Sequence, residues 1–310
     1  MNKRRIILIS ILTSVILVLI LIATFFDLQI SMALSSLKIG EYYTTNLFAI
    51  IFEIIGETFL YLFLAFAGSG LFWWFTRFQK SYIKTIFQIL FTIVIFVAFF
   101  FFLSRMVGYV AHFQPLVTGL YFNVIYIFLS VILTFLIIFS MSRIKEDTLK
   151  KLFVFSLIII CTAVLSNLIT QVIKGEVFGR MRYRAMNYIE DFSFFTPWYY
   201  INGDSIATQV DLFSDAFKSF PSGHITACGI SFSLMILPYL FEMLNTSKWK
   251  IILTITPLII TILVALARII AGAHFLSDTI FGALITFGAT MLFSYIFIFR
   301  KHKKLKQQEN

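Results

Sequence analysis

The chain alternates long apolar runs with short polar breaks. Eight runs stand out, at roughly 6–26, 46–76, 84–104, 122–142, 152–173, 222–243, 251–270 and 275–299. Each has about the ~20 residues a helix needs to cross a bilayer core. Backbone N–H and C=O groups in lipid must be satisfied within their own segment, so every run is predicted to be a helix. The expected fold class is all-α: a polytopic membrane helix bundle with about eight transmembrane helices. The pattern contains no internal repeat and no soluble second domain, so residues 1–310 are expected to form one integral membrane domain.

Composition agrees with the pattern. Apolar residues make up 60% of the chain and charged residues only 13%, with 39 Phe. A soluble domain carries about twice that charge. The net charge of +10 raises the question of nucleic acid, but its placement argues against that. Of 25 Lys and Arg, 17 lie in five short segments flanking the apolar runs: 3–5, 77–84, 143–151, 248–250 and 300–306. Every second connection is basic, and the others are neutral or acidic. The positive-inside rule then puts both termini in the cytoplasm, in keeping with an even number of spans. The last basic segment also suits anionic lipid. The two Cys, Cys161 and Cys228, lie inside apolar runs and support neither a disulfide framework nor a Cys-based metal site. The first run is longer than a signal-peptide core and is read as a retained span.

The longest outer connection, 174–220, carries the aromatic run Phe192 to Tyr200, which fits either an interfacial belt or a lid. Three pieces of sequence at the outer boundary carry candidate chemistry. After the fifth run come Lys174, Arg180, Arg182 and Arg184, cations on the side where the charge bias disfavours them. A bound phosphate would account for them, since Arg offers a planar fork and Lys a point charge. At the start of the sixth run stands Phe220-Pro-Ser-Gly-His224. Pro221 and Ser222 suit a helix start, whose N–H groups attract anions, and Gly223 permits close approach to the backbone. The third piece runs from Arg268 to Asp278 and contains His274. His274 and Asp278 are four apart, on one helix face. An Asp beside a His fixes its tautomer, as a nucleophilic imidazole requires. Phosphoryl transfer needs positioning, charge neutralisation, a nucleophile and an acid, and this inventory requires no metal. Glu53 and Glu57, one turn apart in the second run, are expected to sit at the same depth and pair with Arg105 or a cation of the first piece.

These three segments resemble the signature of the type 2 phosphatidic acid phosphatase superfamily, in its membrane-bound branch: Lys-x6-Arg-Pro, Pro-Ser-Gly-His, and Ser-Arg-x5-His-x3-Asp. The second matches in full. In the third, Ala267 replaces Ser. In the first, Tyr183 replaces Pro, and seven residues rather than six separate Lys174 from Arg182, an offset that a local helix bulge could absorb. The resemblance covers 174–278 and the flanking helices, and it implies a six-helix core with two helices added. It also implies that His274 attacks phosphorus to form a phosphohistidine, oriented by Asp278. His224 would protonate the leaving oxygen, and Lys174, Arg182, Ser222, Gly223 and Arg268 would hold the phosphate. Apart from the resemblance, Arg180, Glu53 and Glu57 are expected to support the site.

The expected protein is thus a hydrolase of a lipid phosphate or pyrophosphate: undecaprenyl pyrophosphate, phosphatidate or phosphatidylglycerol phosphate. No cofactor, no nucleic acid and no protein partner is implied; membrane lipids surround it. The expected setting is a bacterial cytoplasmic membrane with an extracytoplasmic site. Lipid phosphotransfer by the same site is the nearest alternative. A transporter or channel is the alternative of another class, disfavoured because the charges gather at one boundary rather than at the midplane.

Overall fold

The computed structural model describes residues 3–111 and 119–300, and among these there is no strand. The helices are α1 (Lys3–Leu34), α2 (Leu47–Phe78), α3 (Ser81–Ala111), α4 (Leu120–Met141), α5 (Glu146–Val172), α6 (Tyr183–Ile189), α7 (Gly223–Cys228), α8 (Leu237–Leu240), α9 (Ser247–Ile270) and α10 (Leu276–Ser294). Eight helical stretches among the described residues are long and apolar enough to cross a membrane. They coincide with the eight apolar runs, and they fit an integral membrane protein of the all-α, polytopic class the pattern predicts. The basic tail beyond Arg300 lies outside the described residues.

Two spans differ in detail from the sequence reading. α1 continues eight residues beyond Phe26, because Asp27 and Ser31 are buried rather than presented to water. The sixth span is α-helical over α7 and again over α8. Between them it tightens into a 3₁₀ segment, Gly229–Ile236. The side of Gly229 faces Thr286, where a Cβ would stand 3.0 Å from Thr286 Cβ.

The chain forms two compact units. The first comprises Met1–Ile50, Ile169–Gly223 and Ala265–Leu284. Its core gathers Met181, Tyr183, Met186, Phe217 and Phe275. The aromatic run packs onto this unit: Phe192 and Phe195 lie against the core, and the Trp198 ring lies tilted against Phe281 while its Nε1 donates to Thr24 Oγ1 at 3.0 Å. The second comprises Ile51–Leu168, His224–Val264 and Ile285–Asn310. There Phe155, Ile159 and Ile230 pack around Ala67, and Ile95, Ala98 and Phe99 pack around Ala65. Small residues let helix backbones approach closely, the usual means of packing where lipid removes the hydrophobic drive.

Candidate active site

The third motif is built by a helix end and a helix start. At the end of α9 the Ala273 N–H donates to the Arg268 carbonyl at 3.0 Å, and the Gly272 N–H donates to the Ile269 carbonyl at 2.9 Å. This pair of bonds is a Schellman closure, which needs a left-handed residue just past the helix. Gly272 supplies it with φ 62°, and a Cβ there would come within 2.8 Å of Leu37 Cδ1. The chain reverses at Gly272, so His274 follows directly on the last turn that carries Arg268. α10 then opens with Asp278 in its first turn. Asp278 Oδ2 accepts the Phe275 N–H at 2.8 Å, the return half of a capping box.

His274 is fully buried. Its Nδ1 lies 2.7 Å from the Ser219 carbonyl oxygen and 3.6 Å from Asp278 Oδ2. A carbonyl only accepts, so Nδ1 carries the proton and Nε2 keeps the lone pair. Asp278 reaches the imidazole through Ser219, whose hydroxyl donates to Oδ2 at 2.5 Å. On the other side, Arg182 Nη1 stands 3.3 Å from Nε2. Burial, followed by the charges of Arg182, Lys174 and Arg268, holds the imidazole well below its usual range, against the smaller opposing effect of the Ser219 carbonyl. A neutral, correctly tautomerised imidazole among cations is the form a nucleophile needs.

The cations are held by carboxylates and carbonyls. Arg182 donates to the Asp215 carbonyl at 2.8 Å, to Asp215 Oδ1 at 2.9 Å and to the Ala273 carbonyl at 2.9 Å. Arg184 donates to Asp215 Oδ2 at 3.1 Å and lies over the ring of Tyr42. Burial and the neighbouring Arg184 push Arg182 down to about 10. Burial would raise the Asp215 carboxyl, but Arg182, Arg184 and Lys174 outweigh it and hold that group below the usual carboxylate range. Arg268 is buried at the end of α9.

Lys174 falls in a π-helical turn, Ile173–Phe178, that follows α5. A π-turn closes i→i+5 bonds and so takes up one residue more than an α-turn, which is what the seven-residue gap to Arg182 calls for. A Cβ built on Gly223 would stand 3.2 Å from Lys174 Nζ, so the ammonium lies over the bare Gly223 backbone. Burial, then Arg182 and Arg268, push Lys174 down to about 7 despite Asp215 and Asp278. Ser222 is fully buried, and its N–H donates to the Asp278 carbonyl at 2.9 Å. That donor is therefore committed within the protein.

Arg180 does different work. It is 1% exposed and donates to Asp278 Oδ1 at 2.7 Å, to Asp27 Oδ2 at 3.1 Å, to Ser277 Oγ at 2.9 Å and to the Thr196 carbonyl at 2.8 Å. Its guanidinium carbon sits 4.1 Å from the centroid of the Phe275 ring. Asp27 also accepts the Ser277 N–H at 3.0 Å and the Ser277 hydroxyl. The first unit thus brings together Lys174, Arg180, Arg182, Gly223, His274 and Asp278.

His224 belongs to the other unit. Its Nε2 is 2.8 Å from the Tyr109 hydroxyl, which donates to Glu57 Oε2. Glu57 Oε1 is 3.5 Å from Arg105 Nε, the pairing expected between the second and third spans. Glu53 lies one turn earlier on α2, half-buried.

Sequence reasoning did not identify Asp27, Asp215, Ser219 or Tyr109. Asp27 left one readable trace, a carboxylate at the edge of the first apolar run. Asp215 is one of several acids in the 185–220 loop, Ser219 acts partly through its backbone, and Tyr109 is one of 13 Tyr. Among the described residues no three His, Cys, Asp or Glu side chains gather as a metal site.

No match was found among curated proteins or solved structures. Residues 155–302 match the model of the PAP2 superfamily, a stretch that contains every motif residue from Lys174 to Asp278. Membership supports phosphatase activity on phosphate esters, commonly lipid phosphates. By this match residues 155–302, just under half of the chain, belong to the PAP2 superfamily.

Proposed function

We propose that the protein hydrolyses a lipid phosphate or pyrophosphate through a phosphohistidine on His274, at the extracytoplasmic face of its membrane. One observation carries the mechanism: the Nδ1 of His274 is committed to the Ser219 carbonyl, which leaves the Nε2 lone pair among cations. In the first step Nε2 bonds to phosphorus and the ester P–O bond breaks. The electron pair stays on the leaving oxygen, which takes a proton from His224. In the second step water attacks phosphorus, its proton passes to His224, and the N–P electron pair returns to His274. Lys174, Arg182 and Arg268 neutralise the phosphate oxygens, with Gly223 leaving the backbone open beneath them and the Ser222 hydroxyl beside it. Arg180 supports from behind by holding Asp278. This charge inventory suffices without a metal.

Residues 1–310 act in this reading as one phosphatase domain. The charge bias supports cytoplasmic termini and an outward site. The apolar, Phe- and Ile-rich chain supports an amphiphilic substrate of a bacterial cytoplasmic membrane, with undecaprenyl pyrophosphate ahead of phosphatidate and phosphatidylglycerol phosphate.

The deciding experiment measures phosphate release by the purified protein from prenyl pyrophosphates, phosphoglycerolipids and soluble sugar phosphates, with and without chelator. Release from a lipid, insensitive to chelator and abolished in a folded His274→Ala variant, is expected. Strict chelator sensitivity, preference for a sugar phosphate or turnover by His274→Ala would each contradict the proposal. Phosphate appearing on an added alcohol rather than in solution would identify a phosphotransferase.

A further inference from the structure

We propose that Tyr109 and Glu57 are positioning residues for His224, forming a relay from carboxylate through phenol to imidazole that fixes which ring nitrogen delivers the proton. The inference rests on His224 being the acid of the proposed reaction. It concerns α2 and α3, which lie outside the matched residues 155–302.

The geometry leaves one consistent assignment of protons. Glu57 Oε2 is 3.9 Å from His224 Nε2, too far for a direct hydrogen bond. The Tyr109 hydroxyl lies between, 2.8 Å from Nε2 and in short contact with Oε2. A phenol has a single proton to give. Tyr109 donates it to the carboxylate, so its oxygen accepts from His224 and Nε2 carries a hydrogen. The proton delivered to a leaving oxygen must then come from Nδ1. The acidic form bears hydrogens on both nitrogens, and the carboxylate holds the ring through the phenol, much as a carboxylate behind a metal-bound or catalytic His sets its tautomer and orientation.

The carboxylate is itself fixed. Tyr61 donates to Oε1 at 3.3 Å, and Arg105 stands on the same oxygen. The approach of α2 to His224 also depends on a missing side chain. A Cβ at Gly56 would lie 2.7 Å from Val264 Cγ1 and 3.5 Å from His224 Cβ, so the residue before Glu57 must be small for the helix to come this close. Both acidic groups of α2 stand in an apolar segment, where an ionisable residue is costly without a task.

A relay and a merely structural tie make different predictions about leaving groups. Protonation matters for an alkyl alcohol, a poor leaving group, and hardly at all for p-nitrophenol. The test compares kcat/KM, which reports the phosphoryl-transfer step, for p-nitrophenyl phosphate and for an alkyl phosphate of matched chain length. The full-length protein is used in detergent, as wild type, His224→Ala, Tyr109→Phe and Glu57→Gln, with melting curves to establish folding. General acid catalysis contributes on the order of 10²–10⁴-fold. His224→Ala should lose that on the alkyl ester and far less on the aryl ester. Tyr109→Phe and Glu57→Gln should each lose about tenfold on the alkyl ester and less than about twofold on the aryl ester, a fraction of the full effect. Equal losses on both esters, or none, while His224→Ala keeps its bias, would overturn the relay. If His224→Ala shows no leaving-group bias, the acid assignment falls, and the relay falls with it. Glu57→Gln preserves shape and Tyr109→Phe preserves the ring, so either variant alone decides the question.

Discussion

Lys174 is the cation of the site that titrates in the working range. With its ammonium pushed down to about 7, it is half charged at neutral pH and about one-hundredth charged two units higher. If a phosphate group depends on that charge, kcat/KM should fall about tenfold for each unit above pH 7, until binding by Arg182 and Arg268 alone sets a floor. Stability should move the other way. An unfolded lysine keeps its ordinary 10.5, so the folded state disfavours the proton. The penalty is fully present below pH 7 and is relieved as pH rises from 7 to 10.5. That gap corresponds to about 5 kcal/mol, an upper figure because the side chain retains some contact with water. Between pH 6.5 and 9 the unligated protein should therefore gain thermal stability while it loses catalytic efficiency, and the gain should vanish in Lys174→Met. The assay is a pH profile of kcat/KM from 5.5 to 9.5, with melting curves on the same samples. Lys174→Arg keeps its charge well above neutrality, so its alkaline limb should move up by at least about two units. Asp215→Asn should move the limb down, since that carboxylate favours the ammonium. The shift should stay under about one unit, because Asp215 is half exposed and such pairs are worth at most about 1 kcal/mol. A Lys174→Arg profile that falls at the same pH as wild type would refute the assignment.

Two further outcomes follow from buried geometry. Asp27→Asn leaves Arg180 with one carboxylate where it had two, and breaking a buried pair costs about 3–5 kcal/mol. The variant should melt well below wild type in detergent, and it should recover little activity on cooling if Asp278 has shifted. Gly179→Ala places a Cβ 1.8 Å from the Gly203 carbonyl oxygen at a left-handed position, φ 48°. It should fail to accumulate as folded protein, as judged by size-exclusion profile, whereas substitutions at the unobstructed Gly108 should be tolerated.

The spans were legible because a 20-residue apolar run has few alternatives in a bilayer. The break inside the sixth span was not, since Ser231 and Ser233 read as ordinary interruptions of an apolar pattern. The motif residues were legible by type and order, and the one-residue excess before Arg182 pointed to a bulge at the place where the π-turn occurs. What stayed hidden were partners that act across long stretches of chain. Asp27 meets Arg180 over 153 residues, and Tyr109 meets His224 over 115. No local period or spacing encodes such meetings. Arg180 read only as a supporting cation of a basic cluster, and its burial against two carboxylates is what shows how it supports.

The proton on His274 is set by a backbone oxygen, not by a side chain. Every amino acid at position 219 would present that carbonyl. The imidazole tautomer is therefore robust to mutation at the residue that determines it, while the link from the Ser219 hydroxyl to Asp278 is not. A Ser219→Ala variant would separate the two, keeping the nucleophile's protonation while slackening its carboxylate. Comparing sequences position by position would score such a change as the loss of a hydroxyl, and would miss that the chemically decisive acceptor had never left.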